Sequence, residues 1–183
     1  MTASIKNDVL EELKTQTLTR VIGLKPTYQD IEVWEEEASK IASSIPTSLI
    51  EGEERLGHLA TVISEDEYRL EIEDENWEYE EPTDPGPYNP DITGNEEDFE
   101  RARMEAEHKE RRSNYQRHLG VQEHLRRQFQ QCMDPTWIAA LKRPRSQFAS
   151  ISVKQFFQHL RNNVAKLTTK QKTALRNGIK FEW

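Results

Sequence analysis

Five histidines, one cysteine and 33 carboxylates are the groups in this chain able to do chemistry. Their spacing decides which chemistry is open to them. His58, His108, His118, His124 and His159 are scattered along the sequence. His118 and His124 are six residues apart, which places them on different faces of a helix. H-E-x-x-H is absent, so the five are expected as solvated or half-packed side chains and no metal site is assigned. Cys132 has no basic motif beside it and is expected in the core, not as a nucleophile. A single cysteine also excludes a disulfide within the chain and a multi-cysteine zinc site. It fits a reducing, cytoplasmic compartment.

The carboxylates are densest over residues 65–84, which hold 11 acids and one arginine. General acid–base work needs shifted pKa values, and burial is what shifts them. This stretch is too polar to bury, so it reads as a solvated charge run. G-x-S-x-G and D-[ST]-G are both missing. None of the seven glycines forms G-x-x-x-x-G-K or G-x-G-x-x-G, so a phosphate-cradling loop is not expected. No catalytic residue and no cofactor are assigned, and the expectation is a protein that is not an enzyme.

Charge is the stronger signal. The net charge of −8 conceals an acidic front, with 27 acids and 7 bases over residues 1–100. Residues 101–183 reverse this, with 6 acids and 18 bases. Such asymmetry points to head-to-tail self-attraction or to a polyanion on the basic side. A solubilising acidic linker beside ordinary basic helices is the plainer alternative, and both stay open. The candidate nucleic-acid residues are Arg111, Arg112, Arg117, Arg126, Arg127, Lys142, Arg143 and Arg145. Competing with that role are helical pairs to Glu105, Glu107, Glu110 and Glu123, each worth tenths of a kcal/mol. Tyr115 is the one aromatic among arginines that could stack on a base.

The elements that must position these residues are helical. Thr27-Tyr28-Gln29-Asp30 is a capping box, and behind it Ile31, Trp34, Ala38, Ile41 and Ile45 form one apolar stripe. A weaker first helix carries Val9, Leu10, Leu13 and Thr17 and breaks around Gly23 and Pro26. Residues 56–63 are apolar but too short to separate helix from strand. Ser64 with Glu67 caps another short helix. A long helix starts at Asn95, with Gly120 as a candidate break. Asp134-Pro135 opens a helix burying Trp137, Ile138 and Leu141. Ser152 with Gln155 opens one burying Val153, Phe156, Phe157 and Leu160. Thr168 with Gln171 opens a last one, closed by Gly178. The fold class expected is all-α, a compact bundle of short helices with a long acidic, proline-rich loop. Three regions follow: 1–70 helical, 71–94 an acidic Pro/Gly-rich linker that is mobile or loosely packed, and 95–183 helical and stable by itself. The 152–164 helix and its neighbours form the back-half core, with Phe148 between them.

The stretch over residues 125–160 resembles the Gag capsid region of copia-type retrotransposons, particularly the algal branch. That family pairs a W/Y-L-x-x-L helix with a short aromatic loop and a V/I-[ST]-x-x-x-L-L-x-H-L helix, then a helix opened by [IL]-T. Trp137, Leu141, Phe148, Ile151, Phe156, Phe157, His159, Leu160, Leu167 and Thr168 occupy those positions. The front agrees in order: Gly23-Leu24-Lys25-Pro26-Thr27, then Gly57-His58-Leu59, then Pro85-Gly86-Pro87. Departures are Phe156-Phe157 for the usual leucine pair, Asn162-Asn163-Val164 in place of a tyrosine-glycine, and a heavier acidic run. The resemblance implies a capsid-like protein that self-assembles into a particle and packages retrotransposon RNA. A domesticated Gag relative that binds nucleic acid or protein without forming shells is the alternative. With one cysteine there is no zinc knuckle, so the chain is expected to be a fragment, a truncated copy or a host-adapted relative. No apolar run reaches the ~20 residues that span a bilayer, and no membrane partner is expected.

Overall fold

Three capping boxes set where helices begin. The computed structural model describes residues 2–47, 56–71, 81–89 and 98–164. Its helices are α1 (Thr2–Glu12), α2 (Tyr28–Ser43), α3 (Glu65–Glu71), α4 (Asp98–Cys132) and α5 (Val153–His159). The Asp30 amide donates to Thr27 Oγ1 at 3.3 Å, and Asp30 Oδ2 accepts from the Thr27 amide at 2.7 Å. Glu67 closes the same loop with Ser64, and Gln155 with Ser152. Each box satisfies an orphan donor of the first turn and offers an acceptor to the cap residue itself. The fold is all-α, and among the described residues there is no strand, only the isolated bridges Val21–Met133 and Arg143–Gln147.

One apolar core joins the front and back of the chain. Ile31, Trp34, Ala38, Ile41 and Ile45 are all buried, as the stripe behind Thr27 requires. They meet Val121, Leu125, Phe129 and Cys132 of α4, and Val153, Phe156, Phe157 and Leu160 from α5 onward. Phe129 is the centre of the back half. Its ring lies near-parallel to Phe156 at 5.0 Å and edge-on to Phe157 at 5.0 Å. Ile138 is buried, whereas Trp137, Leu141 and Phe148 are partly buried at the margin. A fragment starting near residue 95 would strip α1 and α2 from the inner face of α4 and expose the side chains they cover.

Two glycines mark close approaches. Gly120 does not break α4, which runs unbroken over 35 residues. It lets α1 lie against α4: a Cβ here would sit 2.9 Å from the Val9 side chain and 3.2 Å from the Lys6 carbonyl oxygen. Gly120→Ala is thus expected to cost about 1–3 kcal/mol through overpacking, against alanine's better helix propensity. Urea denaturation measures this, and a variant as stable as the parent would place α1 elsewhere. At Gly57, with φ +44°, a Cβ would lie 2.6 Å from the Ser43 carbonyl oxygen. The chain can tuck the buried turn Leu59–Thr61 beneath the end of α2 only without that atom.

Several elements differ from their sequence expectation. The first helix ends with a tight turn at Leu13–Thr15, well before Gly23. The reason is distant: α4 takes up the backbone of the following segment. His124 Nε2 donates to the Gln16 carbonyl at 2.9 Å, and the Leu18 amide donates to Gln128 Oε1 at 3.3 Å. The Val21 amide donates to the Cys132 carbonyl. His124, Gln128 and Cys132 are four residues apart and share one face of α4. The segment after Asp134 forms two 3₁₀ turns, Pro135–Trp137 and Ala139–Leu141, instead of one α-helix. Asp134 makes no cap hydrogen bond there, because its carboxylate accepts from the Gly23 amide at 3.0 Å. Beyond α5 the chain widens into a π turn at Leu160–Val164. Within the expected linker, residues 81–89 are anchored: Glu81 pairs with Lys154, and the Gly86 carbonyl and Tyr88 ring meet His108. The start at Asn95, the helix expected over 168–178 and most of the acidic run lie outside the described residues.

Candidate nucleic-acid interface

The eight candidate cations fall into two sets. Five lie on α4, where a rise of about 1.5 Å per residue puts Arg111 and Arg127 about 24 Å apart along the axis. Arg111 and Arg112 are exposed. Arg117 is half-buried, and its charge bears on His58. Arg126 is structural: its guanidinium donates to the Ala149 carbonyl at 2.5 Å and to that of Ile151 at 3.3 Å. Burial pulls its pKa down from the usual arginine value. Arg127 pairs with Glu123, which also takes Lys6. That is one of the helical pairs expected to compete, whereas Glu107 pairs with Arg103 at 3.6 Å and not with a candidate cation.

The second set, Lys142, Arg143 and Arg145, sits together on the turn before α5, and all three are exposed. Two backbone hydrogen bonds between Arg143 and Gln147, at 2.9 and 3.1 Å, close that turn. Gln147 accepts a left-handed φ of 53° to allow it. The surroundings matter more than the count. Residues 135–164 contain no Asp or Glu, in a chain that is acidic overall. Lys154 is neutralised by Glu81 and Arg161 by Glu35. Lys142, Arg143 and Arg145 have no ion pair among the described residues. Clustered, unpaired positive charge is what phosphate binding requires.

Arg143 also borders an open groove of about 350 Å³ between the Ala139–Leu141 turn and α5. Ala140, Leu141 and Ile151 supply its apolar part. Gln155, Gln158, Asn162 and Asn163 supply amides, and His159 an imidazole. His159 Nε2 meets the Trp137 carbonyl at 2.9 Å, so that nitrogen carries the proton. Its Nδ1 is then the acceptor for Asn163 Nδ2 at 3.1 Å. Tyr115, considered for base stacking, is half-buried and lies against His118, with ring centroids 6.4 Å apart.

No family model matches the chain, and neither a curated protein nor a solved structure matches it. The chemistry of the side chains therefore carries the functional reading.

Three histidines are buried, not solvated or half-packed as their scatter implied. His58, His118 and His124 are 1%, 3% and 5% exposed. His118 and His124 do face different neighbours. His118 Nδ1 lies 3.0 Å from Thr61 Oγ1, and its Nε2 lies 2.8 Å from the Gln122 amide nitrogen and 3.7 Å from Glu81. The His58 ring is 6.0 Å from that of His118, and neither of its nitrogens has a hydrogen-bond partner. Burial first, then the charges of His118 and Arg117, push its pKa down to about 3. Among the described residues no three His, Cys, Asp or Glu side chains gather as metal ligands. The only sequence hint was the company His58 keeps, between Leu56 and Leu59 in an apolar run. Cys132 is buried, and desolvation raises its thiol pKa to about 12, so it is not a thiolate at neutral pH.

Proposed function

We propose that this chain is a structural, Gag-like capsid protein that associates with copies of itself and packages RNA, without enzymatic activity. The observation that carries it is the front of α4. Every residue from 99 to 107 is exposed, over about 13 Å of helix. Phe99 is 75% and Met104 44% exposed, on turns that nothing in the described chain covers. Two large apolar side chains held in water on such a helix offer a surface to another molecule. Charge favours a second copy. α2 and α3 present exposed Glu32 and Asp66, beside Glu36 and Glu65 that pair with Lys40 and Arg69, while Arg111, Arg112 and the 142–145 turn present the opposite sign. No helix of the described residues is long and apolar enough to cross a membrane.

Negative-stain microscopy and light scattering over a concentration series test the reading. Oligomers that grow into particles are expected, and Phe99→Asp with Met104→Asp should leave a folded monomer. A wild-type chain that stays monomeric or dimeric at the highest concentration would refute shell formation. That result would favour a domesticated module that binds nucleic acid or protein alone. The acid-free turn at 142–145 is the observation in favour of that second reading.

A further inference from the structure

We infer that the groove beside α5 seats one nucleotide of a single strand, with Arg143 on its phosphate and the amides of Gln158 and Asn162 on the edge of its base. The inference rests on the RNA-packaging reading and narrows it from a charged surface to a site. Size is the first argument: about 350 Å³ lies within the range of roughly 300–1,000 Å³ typical of small-ligand sites. Composition is the second. Ala140 and Leu141 supply the accessible apolar part of the groove, over buried Ile151. Gln158 and Asn162 are exposed, line the groove, and have no hydrogen-bond partner among the described residues. An amide side chain presents a donor and an acceptor side by side, which matches the edge of an unpaired base.

Charge is the third argument, and it selects the guest. Among the described residues no carboxylate lines the groove, and the turn at its rim carries Lys142, Arg143 and Arg145. A cationic peptide would find no counter-charge. A strand of nucleotides offers a phosphate to Arg143 and places its neighbouring phosphates within the field of the other two cations. Asn162 sits on the π turn at Leu160–Val164 that follows α5. A duplex does not fit this mode, because its bases are stacked on their neighbours and their Watson–Crick edges are already paired.

The test uses the full chain, with labelled oligouridylate and oligoadenylate as single strands, a duplex of equal length, and inorganic polyphosphate as an anion without bases. Single strands are expected to bind more tightly than the duplex or polyphosphate. Joint Gln158→Ala and Asn162→Ala should weaken single-strand binding about tenfold and leave polyphosphate unchanged, the loss that corresponds to one good base contact. Arg143→Ala should weaken both and lower the salt dependence by about one counterion. All three side chains are exposed, so folding is not at stake. RNA binding that the variants leave intact, or polyphosphate binding as tight as RNA, overturns the groove alone and spares the packaging reading. Failure of the wild type to bind any nucleic acid at low salt overturns both. Variants that alter particle formation but not RNA binding would give the groove to a protein segment of a second copy, and would also overturn the proposal.

Discussion

Phe156→Ala is expected to lower the free energy of unfolding by about 3–5 kcal/mol, the usual loss for truncating a fully buried aromatic. Phe156 is 0% exposed and touches two rings, Phe129 face to face and Phe148 at 5.6 Å, while Phe129 in turn meets Phe157 edge-on. Removing it leaves a cavity between α4 and α5 that Phe129, itself 0% exposed, cannot fill without leaving its own contacts. A domain of ordinary stability has about 5–15 kcal/mol in total, so much of the reserve disappears. Phe148→Ala is the internal comparison. That ring is only partly buried and should cost clearly less. Chemical denaturation of the two variants checks this. Equal stability of Phe156→Ala and the parent would mean that the bundle is packed differently.

The second large effect is loss of stability in mild acid. His58, His118 and His124 all have pKa values held below the imidazole value of 6.5, in each case chiefly by burial. In the unfolded chain they bind protons as pH falls through 6.5, while in the folded chain they resist. Their contribution is therefore fully present above pH 6.5 and is lost as pH falls below it, down to the folded value. For His58 that value is about 3, so the window runs from 6.5 to 3. At about 1.4 kcal/mol per pH unit, His58 alone removes about 2 kcal/mol by pH 5. His118 and His124 act in the same direction. Below 4.5 two carboxylates join them: hydrogen bonds from Ser64 to Glu67, and from Lys6 to Glu123, hold both under their usual range. Thermal melts from pH 7.5 to 4.5 should show a falling midpoint. His58→Phe should flatten the dependence by about one proton. It should cost little at pH 7, since the imidazole nitrogens have no partner to lose. A midpoint unchanged between pH 7 and 5 would mean that these rings are accessible to protons in the folded state.

The three capping boxes and the stripe from Ile31 to Ile45 were legible because they are local. A cap joins residues three apart, and a stripe repeats every three or four, so both are written in the order of the letters. The fate of the charged and polar groups was not. Eight cations looked equivalent in the sequence, yet Arg126 holds the carbonyls before α5, Arg127 is paired to Glu123, and the 142–145 turn is left unpaired. Those outcomes depend on neighbours that no spacing rule identifies.

What the sequence by itself determined is the helical class, the starts of α2, α3 and α5, the apolar faces that must meet, and the division into an acidic front and a basic back. Each follows from interactions within about four residues or from composition. Only the tertiary structure decided where α1 stops, that His58, His118 and His124 are buried, and that the amides of α5 border a groove beside unpaired cations. For the end of α1 and the buried histidines the physical reason is the same: a partner more than fifty residues away supplies the hydrogen bond or removes the water. His124 reaches Gln16 across 108 residues, Gln128 reaches Leu18 across 110, and His118 reaches Thr61 across 57. Such pairings exist only once the helices have packed.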